Sequence, residues 1–334
     1  MHRAARAFWT VGPSTGEIRP VGLASVGPDD VLVRATHSGV SRGTERLVFE
    51  GRVPPGEYAA MRAPFQEGDF PWPVKYGYLS VGVVEEGPRE LLGRSVFALH
   101  PHQTAYVVPV ASVSVVPDDV PPERAVLTGT VETAVNALWD AAPRIGDRVA
   151  VVGAGMVGCC VARLLAGVPG SRVTLVDVDP TREAVASALG VGFAPAERAR
   201  DLAGGCDLTV HTSATSAGLQ LAVDLLGAEG QVLELSWYGD QEVTVSLGGS
   251  FHSGRLSIRA SQVGAVAAAR RPRRSPADRR ALALELLRDP ALDVLLTGRS
   301  DFDALPEVMG RLADGSLPAI CHTITYDAEA PCSP

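Results

Sequence analysis

Three glycines, Gly153, Gly155 and Gly158, stand in GxGxxG spacing within VAVVGAGMVG, after an apolar run and before a helical one. That context gives each a task. The first permits a tight turn, the second lets backbone approach a pyrophosphate, and the third lets strand and helix pack closely. The N–H groups of Met156 and Val157 then face phosphate at a helix N-terminus. Asp177 closes the next apolar run, 19 positions after Gly158. A carboxylate there accepts hydrogen bonds from ribose hydroxyls. It also repels a 2′-phosphate, by up to ~4 kcal/mol at about 4 Å and an effective dielectric of about 20. The pattern predicts NAD over NADP. Arg182 is the opposing signal, because a guanidinium there accommodates a phosphate. The alternative task for Asp177 is capping the next helix together with Asp179.

Two more stretches end apolar runs that read as parallel strands, at whose carboxyl ends ligands bind. Thr212 and Ser213 follow CDLTVH, and Ser236, Trp237 and Tyr238 follow QVLEL. Thr212, Ser213, Ser236 and Trp237 are read as cofactor contacts, and Tyr238 as part of the wall around the substrate. His211 itself reads as a satisfied core histidine.

The elements that must position these residues follow from the patterning. Residues 1–120 carry short alternating runs (DDVLVRATHSGV, LSVGVVEEG, GRSVFALH, QTAYVVPVASVSVVP) separated by turn residues, which predicts an irregular, barrel-like β domain. Val131, Val135, Leu138 and Ala142 then share helical spacing. Over 121–265, near-continuous apolar strands alternate with glycine-terminated helices such as TREAVASALG and SAGLQLAVDLLG, the signature of a parallel sheet covered on both faces. The segment 266–334 returns to mixed structure. FDALPEVMGRLADG puts Leu305, Val308, Met309 and Leu312 on one face, HTITY reads as a closing strand, and DAEAPCSP as a frayed tail.

Composition narrows the function classes. The chain has 334 residues, 46% of them apolar, enough for two cored domains. Its 30 basic and 38 acidic side chains give a net charge of −8, which argues against nucleic acid or an anionic membrane as general partners. The local exception, RRPRR at 270–274, reads as a solvated loop. No apolar run approaches the ~18 residues that span a bilayer. The five cysteines, Cys159, Cys160, Cys206, Cys321 and Cys332, form no CxxC pair and no ligand spacing, which suits reduced thiols in a cytoplasmic protein.

With GVSRGTE, GYLSVGVVEEG, GDRVAVVGAGMVG and VTLVDVDPTR in register, the chain resembles the medium-chain dehydrogenase/reductase superfamily from about residue 5 to 326. SRGTERLVFEGRVP and ETAVNALWD look closest to its bacteriochlorophyllide dehydrogenase-like and alcohol dehydrogenase-like members. The resemblance implies an α/β architecture: a GroES-like, β-barrel-type catalytic domain plus a Rossmann doubly wound parallel sheet. It also implies a nicotinamide cofactor, a small-molecule substrate and a homodimer or tetramer, with a homodimer expected. Zinc members carry a cysteine in a GVC motif, a GHE motif and a third ligand before the linking helix. Those positions here read Ser41, Gly77-Tyr78-Leu79 and about Gly129, and the four-cysteine structural loop is missing. The resemblance therefore points to the zinc-independent branch, with no metal.

Hydride transfer without a Lewis acid needs a hydrogen-bond donor or general acid for the substrate oxygen. The candidates are Tyr78, where a histidine ligand would stand, His100, at a family position lining the substrate pocket, Ser41, and Glu132, near the third-ligand position. Thr44 and His102 are read as substrate contacts. Each has a structural alternative: Ser41, Thr44 and Glu45 capping a helix, His100 and His102 in a solvated loop, Glu132 as a first-turn acid. The reading reached is a zinc-independent, NAD(H)-dependent oxidoreductase acting on a secondary alcohol or ketone. Its rivals are an NADPH-dependent C=C reductase of the quinone or enoyl type, and a dinucleotide-binding module without turnover.

Overall fold

The computed structural model describes residues 4–326. Cys332 and the tail expected to fray lie outside the described residues. Two compact units divide the chain. One holds the chain up to Gly129 and again from Leu296; the other holds Thr130–Leu295.

The first unit begins with an antiparallel hairpin, β1 (Ala4–Gly12) and β2 (Thr15–Gly22). β3 (Asp30–Val40) leads into α1 (Arg42–Phe49). Five short strands follow: β4 (Glu67–Gly68), β5 (Val74–Lys75), β6 (Ser80–Glu86), β7 (Ser95–Ala98) and β8 (Ala105–Pro109). β9 (Val113–Val115), α2 (Pro122–Ala125) and α3 (Thr128–Ala141) complete this stretch. α3 stops where Ala142 takes a left-handed φ of 49°. The expected helical face therefore loses its last member.

The second unit alternates strand and helix: β10 (Arg148–Val152), α4 (Met156–Ala166), β11 (Arg172–Asp177), α5 (Arg182–Ala188), β12 (Gly192–Pro195), α6 (Ala199–Ala203) and β13 (Cys206–His211). It continues with α7 (Ser216–Asp224), β14 (Leu226–Glu234), α8 (Ser250–Ser253), β15 (Ser257–Ala260) and α9 (Pro276–Leu286). All six strands pair in parallel, in the order β12-β11-β10-β13-β14-β15. Counted from β10, this is the order 3-2-1-4-5-6, and the direction of winding reverses between β10 and β13. α7 ends three residues short of Gly227, because Leu226 already pairs with Cys206. The register then shifts before Leu208 meets Gln231, and Glu229 takes a left-handed φ of 63° in the extra loop of chain.

The chain finally returns to the first unit as β16 (Leu296–Asp301), α10 (Leu305–Ala313) and β17 (Cys321–Thr325). Its larger sheet runs β16-β17-β3-β6-β7-β9, with β8 also on β3, and the smaller runs β2-β1-β5-β4. Leu305, Val308, Met309 and Leu312 of α10 are all buried, in one core with Phe8, Phe49, Val96 and Tyr106. Each such apolar side chain contributes roughly 1.5–3 kcal/mol by leaving water. The α/β architecture read from the sequence, an antiparallel β unit beside a six-stranded Rossmann sheet, is the one observed.

Candidate active site

In the second unit the glycine turn sits directly after β10, at the switch point of the sheet. Gly153 has a φ of 111°, and a Cβ there would meet Thr212 Oγ1 at 2.7 Å and Ser213 N at 2.8 Å. Only glycine lets the two strand ends approach this closely. A Cβ on Gly158 would overlap the Gly153 carbonyl, so that glycine serves packing of α4 on the turn. A Cβ on Gly155 would meet nothing within 4 Å. The three glycines thus differ as a dinucleotide requires: a turn, an open approach, and a close packing contact. Gly155 caps α4 without a side-chain bond, which leaves the first N–H groups, those of Met156 and Val157, directed out of the helix start.

Asp177, the last residue of β11, takes the Ala154 N–H on Oδ2 (2.6 Å) and the Asp179 N–H on Oδ1 (2.9 Å). It ties the glycine turn to the turn after β11. The turn into α5 is held by Asp179, whose Oδ1 accepts from Thr181 N (3.0 Å) and Thr181 Oγ1 (2.6 Å). Arg182 pairs with that same Asp179 at 3.2 Å. Its guanidinium is therefore engaged by a carboxylate, which reduces what it can offer a 2′-phosphate.

Thr212 Oγ1 donates to the Gly153 carbonyl at 2.8 Å. Ser236 N–H donates to Glu234 Oε1 (2.7 Å), and Ser236 Oγ accepts from Ala214 N (3.1 Å). Trp237 is half-buried, and Tyr238 donates its hydroxyl to Glu234 Oε2 at 2.9 Å. Glu132 lies in this unit. Its carboxylate is buried against Arg279 (3.1 Å) with Arg280 at 3.9 Å. Arg279 also donates to Asn136 Oδ1 (2.5 Å) and the Val263 carbonyl (2.6 Å). Glu132 is committed to this clamp.

The first unit gathers the rest. Ser41, between β3 and α1, makes no side-chain cap; the Glu45 carboxylate accepts the Ser41 N–H instead, at 2.7 Å. The hydroxyls of Ser41 and Thr44 lie near the Tyr78 phenol. Tyr78 precedes β6 and is half-buried. Burial and the nearby Glu45 charge push its hydroxyl up to about 12, against the smaller opposing effect of Ser41 and Thr44. It keeps its proton at neutral pH and is a donor.

His100 follows β7 and is buried. Its ring stacks on Tyr106 at 3.8 Å and on Phe65 at 5.6 Å. Nδ1 donates to the Pro101 carbonyl at 2.9 Å, which leaves Nε2 as the acceptor. Burial holds the ring down to about 3, so it is neutral in the range where enzymes work and offers no proton. His102 is 1% exposed, between Glu45 Oε2 (2.8 Å) and Ser38 Oγ (2.7 Å), and Ser38 continues to the Tyr326 hydroxyl (2.8 Å). Gly77, φ 130°, leaves room for it. Neither histidine lies in a solvated loop. Tyr78, Ser41 and Thr44 come together; His100 and His102 face other partners.

Ser38, Tyr326, Glu234 and His211 carry contacts that residue spacing does not announce. For the last two one signal exists: each is the final residue of its strand, and the strands pair in register.

The fold class brings zinc into question, and zinc requires three or four N, S or O ligands. Ser41, Tyr78, Leu79 and Gly129 do not make such a set. Among the described residues no group of three or more His, Cys, Asp or Glu could hold a metal. The thiols of Cys159 and Cys321 are buried and pushed up to about 12.

No protein-family model matches the chain, and no curated protein sequence does. Solved structures do, across nearly the whole length. L-idonate 5-dehydrogenase from Escherichia coli K-12 superposes with a TM-score of 0.79 at 14% identity, over 97% of this chain and 99% of that one. A protein from Sinorhizobium meliloti 1021 bound to NADP gives 0.78 at 17%, over 97% and 99%. An alcohol dehydrogenase from Escherichia coli CFT073 in complex with NADH gives 0.75 at 16%, over 96% and 98%. At such identities the likeness is one of fold, the fold these dehydrogenases share.

Proposed function

We propose that this protein is an NAD(H)-dependent oxidoreductase that moves a hydride between nicotinamide and a secondary alcohol or ketone without zinc. The observation that carries the reading is the differentiated glycine turn at the sheet's switch point, with Asp177 hydrogen-bonded to it at 2.6 Å. Neighbours of the same fold are solved with NADH and with NADP. Asp177 and the engagement of Arg182 by Asp179 support NAD.

A bound nicotinamide supplies or accepts the hydride. The chain's own residues hold the dinucleotide and manage the proton. The N–H groups of Met156 and Val157 face the pyrophosphate, and Asp177 accepts from the ribose. Tyr78 donates its O–H to the substrate oxygen. An alkoxide is a stronger base than a phenolate, so the proton passes from Tyr78 to the nascent alcohol even with the phenol held near 12. Ser41 and Thr44 then donate to the phenolate that remains. The neutral His100 accepts through Nε2 and orients a substrate hydroxyl. Glu132 braces the second unit, and we assign the protein to the cytoplasm as a homodimer.

Parallel fluorescence titrations with NADH and NADPH test the reading. Tight NADH and weak NADPH binding, followed by turnover on an alcohol and ketone panel, is expected. An NADPH preference with reduction of activated C=C bonds would replace it. Binding without any hydride exchange leaves a dinucleotide-binding module.

A further inference from the structure

His211, at the carboxyl end of β13, has a fully buried side chain set between two polar partners. Nδ1 lies 2.7 Å from Glu234 Oε2, and Nε2 lies 2.7 Å from Ser213 Oγ. The sheet makes the first contact, because His211 and Glu234 are paired end residues of neighbouring strands. The second is closed over by α7. A Cβ on Gly218 would overlap Ser213 Oγ and come within 2.8 Å of His211 Nε2. Ser213 in turn abuts the glycine turn, as its backbone nitrogen would lie 2.8 Å from a Cβ on Gly153. A buried acid–imidazole–hydroxyl chain therefore ends at the turn read above as the dinucleotide site.

We propose that His211 is a positioning residue that couples dinucleotide binding to a proton, by deciding whether the Ser213 hydroxyl donates or accepts. This rests on the dinucleotide reading above. Glu234 as a carboxylate can only accept, so His211 Nδ1 carries hydrogen in either state. When the ring is neutral, Nε2 is a lone pair that takes the Ser213 hydrogen, and Ser213 shows only lone pairs to a ligand. When the ring gains a proton from solvent, Nε2–H donates to Ser213 Oγ. The Ser213 O–H is then released to an acceptor: Thr215 Oγ1 at 3.1 Å here, or an oxygen of the ligand. Pyrophosphate oxygens only accept. The cationic state therefore binds a dinucleotide more tightly, and binding weakens as pH rises.

Other groups around the ring reinforce the assignment. β14 presents Glu234, and the segment after it presents the Tyr238 hydroxyl at 3.2 Å and Ser236 Oγ at 3.3 Å from Nδ1. β10 sets the apolar Val152 opposite His211, and α7 contributes the uncharged Gly218. Burial works to raise the Glu234 carboxyl. The bonds and charge of His211 and the bonds from Ser236 outweigh it and hold the group below the usual carboxylate range. Burial and the Glu234 charge hold the Tyr238 phenol well above its ordinary value, so it stays a donor to Glu234.

The test is NADH binding to the full chain, followed by fluorescence from about pH 6 to about pH 9, for wild type, Ser213→Ala and His211→Gln, with thermal melts as a folding check. Wild type should lose about tenfold in affinity across that range, the size of one charge-assisted hydrogen bond. Both variants should flatten the profile to about twofold or less. Ser213→Ala removes a half-buried hydroxyl and keeps the test decisive should His211→Gln fail to fold. A flat wild-type profile, or an unchanged slope in Ser213→Ala, overturns the coupling while leaving the dinucleotide site standing. Folded wild type that binds neither NADH nor NADPH at any pH overturns the dinucleotide reading, and this inference falls with it.

Discussion

His102 Nε2 lies 2.8 Å from Glu45 Oε2, and the other oxygen of that carboxylate holds the Ser41 N–H at 2.7 Å. One buried acid thus fixes both the start of α1 and the imidazole behind it. The side chains of both partners are at most 4% exposed, so neither is repaid by water if the other is lost. Glu45→Gln should cost about 1–3 kcal/mol, the range for impairing buried hydrogen bonds to a carboxylate, read as a shift in the urea midpoint. A loss below about 1 kcal/mol would show that the pair is not held as described.

Tyr78→Phe removes the proposed proton donor and little else. Turnover on a responsive ketone should fall by about 10²–10⁴-fold, while NADH affinity stays within about twofold. Single-turnover absorbance at the nicotinamide band separates the two. Intact turnover would reduce Tyr78 to packing.

Asp177→Ser deletes the acceptor for ribose and for Ala154 N–H together. NADH should weaken by ~1–3 kcal/mol, and the gap to NADPH should narrow. An unaltered preference in paired titrations would remove Asp177 from cofactor selection.

His100 makes stability depend on acid. Its ordinary value is 6.5 and the folded chain holds it down to about 3, so the unfolded chain binds the extra proton between those values. Stability is therefore fully present above about pH 6.5 and declines as pH falls toward about 3, by on the order of a few kcal/mol. His100→Phe, which keeps a ring against Tyr106, should flatten that decline in denaturant midpoints taken across the window. A mutant curve parallel to wild type would contradict the assignment.

Turnover should survive exhaustive dialysis against a chelator, with elemental analysis reading no stoichiometric zinc before or after. Activity that disappears and returns on adding zinc would mean that residues other than those at Ser41, Tyr78 and Gly129 hold a metal.

The alternation of strands and helices, the glycine turn and the buried face of α10 are legible in the sequence, because each rests on local spacing or on backbone freedom at one residue. Gly153 holds a positive φ and Gly155 leaves open space, both of which depend on having no side chain. The polar networks are different. Ser38 and Tyr326 touch across 288 positions, and His102 and Glu45 across 57. No periodicity links such pairs; only the pairing of β17 and β8 with β3 brings them together. Ser41 looks like an ordinary N-cap, yet its side chain caps nothing, and the Glu45 carboxylate accepts its N–H instead. Asp177 and Asp179 look interchangeable in sequence, and only the turn after β11 separates the residue that braces the glycine loop from the one that holds Thr181 before α5.

β3 carries β6 along one side, while β8 and β17 share the other: β8 pairs with Asp30–Arg34 and β17 with His37–Val40. During ribosomal synthesis the second unit emerges whole while the second half of that strand still lacks its neighbour. The nascent first unit thus presents an unpaired ladder until β17 clears the exit tunnel, the period in which edge-to-edge association with other chains competes with completion. A stop codon before Cys321 would make that vulnerable state permanent.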